Sequence, residues 1–128
     1  MSFWRKELID FALDQETLRH IDEQRAWIGR EPNNARPYLN LAQLYRMCGR
    51  TDEALGLLLE AVRLDAGFAE AHVALTEIYA IRDDSPAAWW HARVAEEHGD
   101  GRGVALLERH GVPEEKGKSQ KSKGKSQK

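Results

Sequence analysis

Cysteine is almost missing from this chain, with Cys48 alone among 128 residues. A single thiol forms no intramolecular disulfide and has no second thiol with which to share a metal, so packing must hold the fold. Near the end of an apolar helical pattern, Cys48 is expected to be a small, partly buried side chain. Long apolar runs are lacking as well. The longest run of Leu, Ile or Val is Leu57-Leu58-Leu59, far short of the roughly 20 apolar residues that a membrane-spanning helix needs. The opening segment, Met1-Ser2-Phe3-Trp4-Arg5-Lys6-Glu7, brings charge in early and offers no apolar stretch of secretory length. A cytoplasmic location is the expectation. Phosphate-binding glycine loops are also missing, because Gly99, Gly101 and Gly103 follow no strand and read as a turn. No two of the histidines (20, 72, 91, 98, 110) stand four apart, and no nucleophile elbow surrounds any serine. Neither a metal, nor a cofactor, nor enzymatic activity is expected.

Charge is plentiful but unevenly placed. The formal net charge is −2, yet residues 114–128 hold six lysines and two glutamates, which leaves residues 1–113 with 13 basic and 19 acidic side chains. The body is acidic and the tail basic. From Glu114 to Lys128 every residue is Glu, Lys, Gly, Ser or Gln. Such a segment buries nothing to offset the entropy of ordering and is expected to be disordered.

Within the body, apolar residues recur at spacings of three and four, as in Leu41, Leu44, Tyr45 and Leu75, Ile78, Tyr79, which is the helical period. Gly, Pro and Ser divide the pattern into seven predicted helices: 3–13, 15–29, 35–48, 52–64, 69–82, 86–98 and 102–110. Gly29 with Pro32 and then Gly49 supply stops, Ser85 with Pro86 supplies a start, and Gly111 with Pro113 closes the last helix.

The decisive feature is an internal repeat. Residues 35–68 reappear at 69–102 with an offset of 34, pairing Ala35 with Ala69, Leu41 with Leu75, Leu44 with Ile78, Tyr45 with Tyr79, Ala54 with Ala88 and Ala61 with Ala95. Small side chains at two places of one helix and one of its neighbour let antiparallel helices approach closely. With Tyr38, Leu41, Ala42, Tyr45, Ala54, Leu58 and Ala61 in one copy and His72, Leu75, Thr76, Tyr79, Ala88, Ala92 and Ala95 in the other, the chain resembles the tetratricopeptide-repeat family. A degenerate first copy, either a splayed repeat or a cap, is expected over 1–34 from Trp4, Phe11, Ile21, Trp27, Ile28 and Pro32.

The resemblance implies an all-α, right-handed solenoid of antiparallel helix hairpins over residues 1–113. It would hold about three repeats (1–34, 35–68, 69–102) and a capping helix at 102–112. It also implies a scaffold or adaptor that binds a protein or peptide partner in a concave groove. Arg36, Leu39, Gln43 and Arg46 from one repeat, with Glu70, Val73, Glu77 and Ala80 from the next, would line that groove. Leu39, Gln43, Glu70 and Ala74 do not reproduce the basic, asparagine-containing clamp with which some members grip acidic chain ends. A segment carrying both apolar and charged groups fits better.

Two features fall outside the repeat. Trp89 aligns with Leu55 and is expected in the core, whereas Trp90 aligns with Gly56 and either packs under the terminal helix or serves as an aromatic anchor for a partner. Lys116, Lys118, Lys121, Lys123, Lys125 and Lys128 point to the alternative function, a weak, sequence-independent tether to nucleic acid or another anionic surface. Near the N-terminus, Phe3, Trp4, Leu8 and Phe11 form an apolar stripe expected to cover a neighbouring helix.

Overall fold

The computed structural model describes residues 2–114, with side chains at 5, 7, 8 and from 14 onward. The expected role of Lys116 to Lys128 therefore lies outside the described residues, as do the side chains of Phe3, Trp4 and Phe11. Six helices follow one another: α1 (Ser2–Arg30), α2 (Ala35–Met47), α3 (Thr51–Leu64), α4 (Ala69–Ile81), α5 (Ser85–Glu97) and α6 (Arg102–Arg109). No strand occurs among the described residues. The chain is an all-α helical-repeat protein that divides into two compact units, Met1–Leu64 and Asp65–Lys128.

In the first unit, α1 is one helix of 29 residues, where a break near residue 14 was predicted. The reason is local. No glycine or proline interrupts residues 3–28, and Arg19 ties to Glu16 and Glu23, with His20 bonded to the same two carboxylates, across successive turns. These spacings of three and four support a continuous helix. Leu8, expected to cover a neighbouring helix, is 58% exposed. Gln24 on α1 accepts a hydrogen bond from Asn40 Nδ2 on α2 at 3.1 Å, and Ile21 is buried. α2 starts at Asn34, whose side-chain oxygen accepts the Arg36 backbone N–H at 3.0 Å, one of the amides left free at a helix start. Leu41, Ala42 and Tyr45 of α2 and Ala54, Leu58 and Ala61 of α3 are buried, the last three without solvent exposure.

The second unit repeats the α2–α3 hairpin as α4–α5 and follows it with α6. Ala71, Ala74, Leu75, Thr76 and Ile78 of α4 and Ala88, Trp89, Ala92 and Ala95 of α5 form its core. The N-cap of α5 is Asp84, which accepts the Ala87 N–H at 3.2 Å. Ser85, expected as the cap, is instead the first helical residue. A carboxylate one position earlier reaches the free amides and suits the positive end of the helix. Helix α6 packs its Val104 and Leu107 against Ala88, Trp89 and Ala92. At Gly103 an added Cβ would lie 3.2 Å from both Ala92 Cβ and Thr76 Oγ1, so a side chain there would crowd the contact of α6 with α4 and α5.

The turns repeat as faithfully as the helices. Gly49 N–H bonds Arg46 O and Arg50 N–H bonds Tyr45 O, and 34 residues later Asp83 N–H bonds Ala80 O and Asp84 N–H bonds Tyr79 O. Both are Schellman closures with a left-handed residue after the cap, at φ 78° for Gly49 and 61° for Asp83.

Candidate partner-binding surface

Helix α2 divides its residues between two duties. Leu41, Ala42 and Tyr45 are committed to the core, while Arg36 and Gln43 are exposed and Arg46 is half-buried. Arg46 donates to Gln43 Oε1 at 3.3 Å. Leu39, which the resemblance placed in the groove, is only 3% exposed. Helix α4 is more deeply buried. Every residue from Ala71 to Thr76 is buried, including Val73 at 6% exposure, so the outer face of α4 is carried by exposed Glu70 and half-buried Glu77 and Ala80. Leu39 and Val73 thus serve as packing side chains, and the accessible members of the set are polar except for Ala80. The resemblance assigns both by their place in the repeat, which does not separate a helix's buried apolar stripe from an apolar residue at its margin.

On α5, Trp89 and Trp90 part company. Trp89 is buried, donates its Nε1–H to Val112 O at 3.1 Å and carries the Arg93 guanidinium over its ring at 5.0 Å. Arg93 in turn holds Glu114 through two hydrogen bonds, of 3.0 and 2.6 Å. This fastening of the first residue after Pro113 was not foreseen, since Glu114 was read with the tail. Trp90 is 60% exposed, which removes the option that it packs under the terminal helix. Its ring meets His91 edge-on at 4.9 Å and His72 at 6.1 Å.

Beneath Trp90 lies a cluster that separate histidines in a sequence do not announce. His72 and His91 are both buried, their Nδ1 atoms 2.9 Å apart, and Tyr79 stacks on His91 at 5.5 Å. The residues are 19 apart and on different helices. Only the hairpin register, which pairs Leu75 and Thr76 with Ala88 and Ala92 in one core, could have brought them to mind. Burial pushes His91 down to about 4 and lowers His72 as well. Cys48, expected partly buried, is exposed at the C-cap of α2, where the apolar stripe has already turned away.

Residues 28–56 match the family model of the tetratricopeptide repeat. The match supports the tetratricopeptide-repeat family over that stretch, which is less than half of the chain. The matched stretch runs from the last turn of α1 through the whole of α2 into α3, and so contains Ala42 and Ala54 of the small-residue crossing and the left-handed turn at Gly49. No curated protein matches the chain. Tetratricopeptide repeats generally mediate protein–protein interaction and are typically non-enzymatic scaffolds. No described helix is long and apolar enough to cross a membrane.

Proposed function

We propose that this chain is a tetratricopeptide-repeat adaptor that binds protein or peptide segments, through the accessible face of α2 in the first unit and that of α4 in the second, each taken by itself. The observation that carries the reading is the division of labour on α2, whose core-facing residues leave Arg36, Gln43 and Arg46 accessible on the helix that family members turn toward ligands. The face of α2 is basic and that of α4, with Glu70 and Glu77, is acidic. Acidic groups of a partner suit the face of α2 and basic groups that of α4, and a few such contacts supply most of the binding energy.

Arg46→Glu and Glu77→Lys test the reading against Arg63→Glu, an exposed residue of α3. A partner isolated with the full chain is expected to bind each groove variant at least about 5-fold more weakly, the loss of roughly 1 kcal/mol. The control is expected to bind normally, and all three to keep the wild-type helix content. Full affinity in both groove variants with loss in Trp90→Ala would move the binding surface to α5 and overturn the assignment.

A further inference from the structure

The His72–His91 contact fixes where its protons are. His72 Nε2 lies 2.8 Å from Ala66 O, and a carbonyl oxygen only accepts, so Nε2 carries a hydrogen. A neutral His72 then turns a bare Nδ1 toward His91, and His91 Nδ1–H must donate across the 2.9 Å gap. His91 is left with Nε2 as its one position for a further proton. The ring that bears it is 8% exposed, stacked on Tyr79 and flanked by Trp90. Neither neighbour brings a negative charge. Asp65, before α4, favours a charged His72, and His98, at the end of α5, opposes it. Among the described residues α6 contributes no charge that acts on either ring.

We propose that His72 and His91 form a proton-sensitive clasp between α4 and α5, closed by one shared proton and weakened when the pair takes up another. The first additional proton, on His91 Nε2, makes a buried imidazolium with no anionic partner, which is costly. A second would place hydrogens on both Nδ1 atoms and abolish the bond. The direction with pH follows from linkage. Folded His91 is pushed down to about 4 from an ordinary value of 6.5, so the unfolded chain binds the proton first as pH falls. The clasp's contribution is whole above about pH 6.5 and is lost as pH falls toward 4. Because α4 also carries Glu70 and Glu77, acid would loosen a helix that the proposed adaptor uses. The clasp itself does not depend on that role.

Long-range proton–nitrogen NMR on the full chain tests the clasp directly. At pH 7 the expected tautomers are Nε2–H for His72 and Nδ1–H for His91, with His91 staying neutral well below the ordinary histidine value of 6.5. In parallel, the urea midpoint of the wild type is expected to drop between pH 7 and 5. That of His91→Gln, whose amide can donate to His72 but cannot titrate, should drop less. An Nε2–H tautomer at His91, ordinary titration of His91, or equal pH slopes in the two proteins would overturn the proposal. Should His91→Gln fail to fold, the wild-type tautomers and titration decide it.

Discussion

Ala54, Ala61, Ala88 and Ala95 have no solvent exposure, and each occupies a place where a longer side chain would push a neighbouring helix away. Ala61→Leu is expected to destabilise the protein by about 1–3 kcal/mol through overpacking, measured by chemical denaturation. An unchanged midpoint would mean that α3 does not seat this residue against its partner. These positions were legible in the sequence because recurrence at an offset of 34 marks a steric requirement that composition alone does not. The histidine pair was not legible. His72 stands at the repeat's aromatic place and His91 at a position with no repeat signature, so nothing but the paired helices joins them. Thr76 shows the same limit: it replaces the small residue Ala42, and its hydroxyl can be buried because Oγ1 donates to His72 O at 3.0 Å and lies 3.3 Å from Ala88 O.

At the scale of the element, the turns after α2 and α4 provide a matched pair. Both use a left-handed residue, but Gly49 has no Cβ and Asp83 does. Asp83→Gly is expected to raise stability by about 1 kcal/mol, and Gly49→Ala to lower it by a similar amount. Open space surrounds Gly49, with nothing within 4 Å of an added Cβ, so the loss would come from the backbone alone. Thermal denaturation of the two variants reads both signs, and a stabilising Gly49→Ala would contradict the account of the turn. The boundaries of α2 to α6 fell within a residue of those predicted, because glycine, proline and capping side chains punctuate them. Residues 1–34 have no such punctuation before Gly29. An expected hairpin there relied on weak similarity to the repeat, and the local charge pairs of α1 instead favour one continuous helix.

For the molecule as a whole, each compact unit carries its own buried set, around Leu58 in the first and around Leu75, Ala92 and Leu107 in the second. In each unit, what the proposed partner-facing helix (α2 in the first, α4 in the second) leaves accessible is mainly charged and polar. The family resemblance led to the expectation of such a surface from the sequence, but it could not tell that Leu39 and Val73 are buried. Hydrogen–deuterium exchange of the full chain with and without its isolated partner tests this most directly. The account predicts added protection concentrated in α2 and α4, around Arg36–Arg46 and Glu70–Ala80, with little change across α5. Protection centred on Trp90 and its neighbours on α5, with α2 and α4 unchanged, would contradict it.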